Sequence, residues 1–251
     1  MGKNSSIGWA DNTFNPWWGC TKVSRACDGC YAEAFAKRTG FKVWGPKAER
    51  RFFGEKHWHE PRVWNARAAL AGEQEKVFCA SMADVFEDRG DVAIERERLF
   101  HLIEQTPYLI WQLLTKRPEN MIAMAPQRWR AEWPANIWAG TTTENQDTFD
   151  ERWEHLRQVP AAIRFVSIEP MIGAVDVRLG GAGELHQAIF GGESGPGHET
   201  LDIGALERSV SAARDRGCAI FVKQDSGPYP RRQGRIPDDL WSLKQFPWSA
   251  S

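Results

Sequence analysis

Ile163-Arg164-Phe165-Val166-Ser167-Ile168-Glu169-Pro170 is a short apolar run that stops abruptly at a carboxylate and a proline. Its apolar positions do not alternate cleanly with polar ones, which is how a strand covered on both faces reads. The pattern recurs along the chain at Val77–Ala80, Tyr108–Leu114, Ile137–Ala139, Gln187–Phe190 and Ala219–Val222. A further strand is expected around residues 6–15. Between the runs lie stretches of helical spacing. In 91–106 they are carried by Val92, Ile94, Leu99, Phe100, Leu102 and Ile103; in 201–216 by Ile203, Leu206, Val210 and Ala213, with Gly217 as the stop. In 143–157, Thr143 followed by Gln146 reads as a capping box. Pro118 and Pro170 follow strand ends directly, as suits a first helical turn.

Alternating strands and helices predict parallel pairing with right-handed crossovers. The expected fold is α/β, a full or partial parallel (β/α) barrel, with an open doubly wound sheet as the second choice. No composition break divides the chain, so 1–251 is read as one barrel-like domain. Residues 31–76 are longer than a simple crossover needs, and an insertion rich in aromatic and basic residues is expected at about 40–72.

In either architecture, sites form at the carboxyl ends of the strands. Those ends read Ser81-Met82-Ala83-Asp84, Thr115-Lys116-Arg117, Thr141-Thr142-Thr143-Glu144-Asn145, Glu169-Pro170, Gly191-Gly192-Glu193-Ser194 and Lys223-Gln224-Asp225. Ser81 and Asp84 are candidates to hold a cofactor amino group. Thr141, Glu144, Asn145 and Glu169 are candidates for a ribose, and the Gly-rich run with Glu193 for close backbone approach. Lys116, Arg117 and Lys223 are candidates for a carboxylate or phosphate.

The sharpest local signal is Cys20-Thr21-Lys22-Val23-Ser24-Arg25-Ala26-Cys27-Asp28-Gly29-Cys30. Thiolates are soft ligands suited to zinc and to iron–sulfur clusters. Three of them leave one coordination position open. Zinc would complete its set with His57 or His59; a [4Fe–4S] cluster would leave one iron free for substrate or cofactor. Cys79 and Cys218 lie in apolar runs and read as small buried hydrophobes.

The stretch from Asn15 to Glu33 resembles a phage-associated family of radical-SAM-like three-cysteine proteins, SAM being S-adenosylmethionine. Leu114-Thr115-Lys116-Arg117-Pro118, Ser167-Ile168-Glu169-Pro170, Phe190-Gly191-Gly192-Glu193-Ser194-Gly195-Pro196-Gly197 and Phe221-Val222-Lys223-Gln224 are similar to it too. The resemblance implies a radical-SAM-type barrel in which Cys20, Cys27 and Cys30 hold a [4Fe–4S] cluster. It also implies that SAM on the unique iron yields a deoxyadenosyl radical, with an external electron donor and, in a phage setting, a co-encoded partner protein. The chain departs from the common radical SAM pattern in its six-residue first gap, in Gly29 before Cys30, and in a Gly-Gly-Glu after the sixth expected strand, counting the one at residues 6–15. Two non-enzymatic readings stand beside the enzyme: a nucleic-acid-binding protein with structural zinc, and an iron–sulfur partner that does not cleave SAM.

Composition narrows the substrate. The 251 residues carry 32 Lys+Arg and 33 Asp+Glu, which excludes a uniformly basic surface. Residues 1–70, however, hold 12 Lys+Arg against 6 Asp+Glu, a net of +6, and six of the 13 Trp. Arg50 and Arg51 lie there among Phe41, Trp44, Phe52, Phe53, Trp58 and Trp64. Cations interleaved with rings suit phosphates and stacked bases, so modification or repair of a nucleotide or nucleic-acid base is the expected activity. No apolar run of about 18 residues is present, so no membrane span is expected. No secretion segment opens the chain, and a cytoplasmic protein is expected. Gly2 and Ser6 fit a loose myristoylation pattern.

Overall fold

The structure, a computed structural model, describes residues 7–180 and 184–247. Gly2 and Ser6 lie outside them. By backbone contacts the chain forms two compact units. The first comprises residues 1–138 and 160–162, the second residues 139–159 and 163–251.

In the first unit, β1 (Asn12–Thr13) is followed by β2 (Trp17–Trp18), the cysteine loop and α1 (Tyr31–Arg38). Then come β3 (Arg51–Phe52), α2 (Glu55–Ala71), β4 (Glu75–Cys79), α3 (Ala93–Glu104), β5 (Leu109–Thr115) and α4 (Met121–Met124). Strand β4 pairs in parallel with β1 on one side and β5 on the other, with Val77 beside both Asn12 and Trp111. The short β2 and β3 form a separate antiparallel pair, Trp17 opposite Phe52 and Trp18 opposite Arg51.

Residues 55–71, expected to belong to an insertion, are the crossover helix α2. Its buried positions Trp58, Pro61, Trp64 and Ala68 recur at helical spacing. Pro61 interrupts the apolar pattern, and the intervening charges blur the rest, which is why the sequence hides this helix. Gly72, in the left-handed region at φ 68°, ends it.

The strand β6 (Ile137–Thr143) carries the chain into the second unit. There α5 (Gln146–Leu156), β7 (Ile163–Ile168), β8 (Gln187–Gly191), α6 (Ile203–Asp215), β9 (Ala219–Gln224) and α7 (Asp238–Trp241) follow. Strand β8 pairs in parallel with β7 and β9. By hydrogen bonding the strand order is β1-β4-β5 in the first unit and β7-β8-β9 in the second. All seven residues of β6 are buried, including Thr141, Thr142 and Thr143. The capping box expected at Thr143 and Gln146 forms instead between Asn145 and Thr148, because β-branched threonines extend the strand that far. Pro118 opens a helical turn as expected, whereas no helix follows Pro170 before residue 176. The outer side of β9 does not stay open. Val222 N–H donates to Leu243 O, and Phe221 bridges Lys244 in antiparallel sense.

Candidate metal and cofactor site

The cysteine loop sits at the carboxyl ends of β1, β4 and β5. Gly19 N–H donates to Met82 O at 2.9 Å, and Gly19 bridges Ala83 in parallel sense, just past β4. Gly19 has φ +119°, and a Cβ there would stand 2.3 Å from Val43 O, so only glycine fits immediately before Cys20. Asn15 Oδ1 accepts from Met82 N–H at 2.7 Å, and the Asn15 and Ser81 side chains meet at 3.1 Å. On the far side of the loop Cys30 opens α1. It packs against Ala32, Ala36, Val43 and Met82 together with Trp18, Phe35, Phe41 and Trp44. Tyr31, the next residue, donates its hydroxyl to Ser81 O at 3.0 Å.

Two buried arginines meet at Thr21. Arg117 Nη2 donates to Thr21 O at 2.5 Å, and its Nη1 reaches Asp84 Oδ2 at 2.8 Å and Cys20 Sγ at 3.7 Å. Arg50 Nη2 donates to Thr21 Oγ1 at 3.0 Å and to Glu87 Oε1 at 2.7 Å. Its Nη1 takes the carbonyls of Val43, Gly45 and Ala48. Both guanidiniums are desolvated and neutralised in place, which is how buried charge is tolerated. Arg51 lies over the rings of Phe41, Trp18 and Phe53, with centroids at 4.0, 4.4 and 5.1 Å. The arginines singled out in the sequence as anion contacts thus use their charge on the protein itself. Asp84 accepts from Thr115 Oγ1 at 2.6 Å, Lys116 N–H at 3.1 Å and Phe86 N–H at 3.0 Å as well as from Arg117. Lys116 is half-buried beside it. Glu87 and Thr21 are not singled out by the sequence: Glu87 falls in no motif, and Thr21 lies in the cysteine loop but carries no metal-ligating group.

All five cysteines are free thiols; Cys20, Cys27 and Cys30 are half-buried, while Cys79 and Cys218 are buried as expected. Burial pushes the Cys20 thiol up to about 12, Asp84 adds to the rise and Arg117 opposes it. Burial raises Cys30 as well. Among the described residues no three His, Cys, Asp or Glu side chains are gathered as a set for one metal ion. In kind the donors fit an iron–sulfur cluster: three reduced thiols on one loop, partly shielded from water, with a cation against the first. His57, one of the two candidates for a fourth zinc ligand, donates from Nε2 to Asn15 O at 2.9 Å and stacks on Phe14. His59 lies in an open groove between α2 and α3 with Glu55, Arg62, Glu97 and His101.

The second unit gathers its own strand-end residues. Lys223 Nζ meets Glu169 Oε1 at 2.5 Å, and Gln224 Nε2 donates to Gly192 O at 2.9 Å. A Cβ on Gly192 would stand 2.3 Å from Ser226 N, so the glycine lets the ends of β8 and β9 close together. Glu193 Oε2 accepts from Glu199 N–H at 2.8 Å, closing the Gly-rich turn. Thr141 is fully buried in β6. Glu144 is buried against Arg152 at 3.3 Å, and Asn145 caps α5.

Residues 4–236 match a family described as "Protein of unknown function (DUF5131)". No curated protein sequence matches the chain. Among solved structures it is similar to spore photoproduct lyase. In a complex of that lyase with dinucleoside spore photoproduct the TM-score is 0.55 at 12% identity, over 85% of this chain and 64% of the lyase. For a single-substitution mutant the values are 0.58 and 11%, over 88% and 78%. A doubly substituted mutant with bound AdoMet and dinucleoside spore photoproduct gives 0.53 at 12% identity, over 85% and 64%. The chain thus spans just under two thirds of the length of the first and third of these. The α/β fold expected from the sequence is the fold of these neighbours. No helix among the described residues is long and apolar enough to cross a membrane.

Proposed function

Since the chain belongs to the DUF5131 family, whose description names no activity, we propose from the site itself that it is a radical-SAM-like iron–sulfur enzyme modifying or repairing a nucleotide or nucleic-acid base. One observation carries this reading: the three-cysteine loop stands on the carboxyl ends of β1, β4 and β5, in a fold shared with a lyase that binds AdoMet. Cys20, Cys27 and Cys30 would supply three thiolates to a [4Fe–4S] cluster and leave one iron for SAM. When bound, that pair supplies the one-electron cleavage that yields a deoxyadenosyl radical, drawing on an external electron donor.

The chain's own residues position and shield. Arg117 holds the Thr21 carbonyl and Arg50 its hydroxyl, so the loop keeps one shape. Ser81 offers a hydroxyl beside Tyr31 and Asn15. Glu169 and Glu193 are proposed as the cofactor contacts of the second unit, whereas Thr141, Glu144 and Asn145 are taken up inside the fold, by β6, by Arg152 and by the cap of α5. Lys116 and Lys223 are proposed as the cations for an anionic substrate. A nucleic-acid substrate is supported by the dinucleoside bound to the structural neighbour and by the basic N-terminal quarter. A single working domain, a cytoplasmic setting and a co-encoded partner belong to the same proposal.

The test is anaerobic purification with assay of iron, sulfide and zinc, followed by SAM and dithionite. Four irons per chain and release of deoxyadenosine are expected. Stoichiometric zinc without iron would overturn the reading in favour of a structural metal. Four irons without SAM cleavage, even with oligonucleotide present, would assign the protein to electron transfer or partner service.

A further inference from the structure

Arg117 leaves the end of β5 and turns its guanidinium under the first cysteine. Only 8% of the side chain is exposed, and 7% of Asp84, its ion-pair partner. Nη1 is shared between Asp84 Oδ2 at 2.8 Å and Cys20 Sγ at 3.7 Å, while Nη2 is fixed on Thr21 O. Asp84 in turn is fixed by Thr115 Oγ1 and by two backbone N–H groups. A buried ion pair therefore stands beside one sulfur, with the guanidinium within hydrogen-bond reach of it.

We propose that Arg117 is a positioning residue that sets the charge at the Cys20 corner of the metal centre, with Asp84 as its counterweight. The inference rests on the iron–sulfur reading above. One-electron reduction, with the electron delivered by an external one-electron donor, adds one negative charge to the centre. Arg117 favours that added charge and Asp84 opposes it, and neither is screened by water at this depth. Removing one or the other therefore moves the midpoint potential in opposite directions. A purely structural role gives no such opposition.

The experiment uses the full chain, purified anaerobically and reconstituted with iron and sulfide. Wild type, Arg117→Lys, Arg117→Gln and Asp84→Asn are compared by iron content, thermal melting and dithionite titration followed by EPR. Arg117→Lys is expected to keep the wild-type potential, Arg117→Gln to shift it negative and Asp84→Asn to shift it positive. Equal potentials in all loaded variants, or shifts of one sign for Arg117→Gln and Asp84→Asn, would overturn the proposal. If Arg117→Gln does not fold, Arg117→Lys against Asp84→Asn decides alone, by an unchanged and a raised potential. Wild type that takes up no iron overturns the cluster reading itself, and with it this inference; iron content thus separates that failure from a failure of the charge pair.

Discussion

Arg50 donates from Nε and Nη2 to the two carboxylate oxygens of Glu87, at 3.1 and 2.7 Å, with almost no part of either side chain in water. Breaking such a pair strands a charge in the interior. Glu87→Ala is expected to cost about 3–5 kcal/mol of unfolding free energy in urea titrations. Replacing both partners by Met and Leu is expected to cost less than Glu87→Ala alone. A single variant no less stable than the double would remove the pair from the scaffold of the cysteine loop.

Gly19 has no room for a side chain. In Gly19→Ala the Val43 carbonyl and the Arg50 stem must move, and the positive φ is strained as well. A loss of about 1–3 kcal/mol is expected from the strain alone. Cys20 should also react faster with iodoacetamide in the metal-free protein, since its cover is the part that shifts. Unchanged alkylation with unchanged stability would contradict the close approach.

Thr106 Oγ1 accepts from Trp111 Nε1 at 3.0 Å and donates to Leu102 O at 2.7 Å, all three buried. Thr106→Val keeps the shape but leaves an indole N–H unpaired. Its expected cost is about 1–3 kcal/mol in denaturant unfolding, together with a changed Trp fluorescence. An effect below about 0.5 kcal/mol, the usual range for surface changes, would show that the bond carries no weight.

Asp225 ties the end of β9 to the segment after it. Its carboxylate accepts from Ser226 N–H at 2.7 Å, Arg235 N–H at 2.7 Å, Arg235 Nη2 at 2.7 Å and Arg235 Nε at 3.0 Å. Burial would push the carboxyl up; the Arg235 guanidinium and the N–H donors outweigh it and hold it below the usual carboxylate range. The folded chain thus binds this proton less readily than the unfolded one. Its stability contribution is complete above about pH 4 and is lost as pH falls through the folded value. The difference in melting temperature between wild type and Asp225→Asn is expected to shrink as pH falls below 4. A difference constant from pH 7 to pH 2.5 would refute the clamp.

The strands were legible because burial on both faces leaves continuous apolar runs. Ile163–Ile168 is read and found with the same bounds. Where a strand ends in β-branched polar residues the signal fails: β6 runs on through Thr141–Thr143, which look like a loop in sequence. Helix α2 was lost for a different reason. Its apolar face is made of Trp, Pro and Ala, a set that carries little periodic contrast against neighbouring charges. At the site, the cysteines were visible from spacing. The identity of their supports was not, since Arg50 and Glu87 are 37 residues apart and only the fold brings them together. A basic, aromatic stretch looked like an anion-binding surface, yet Arg50 and Arg51 are satisfied by carbonyls, a carboxylate and rings within the chain.

The lashing of Thr21 by two arginines, with Gly19 fastened to Met82, bears on how the protein ages in air. A loop whose shape comes from guanidiniums and backbone bonds does not borrow that shape from metal. If the loop holds the proposed cluster, its loss is expected to leave the chain folded and the three sulfurs still presented. Oxidative damage would then empty a socket without collapsing the wall around it, and repair would be a matter of refilling.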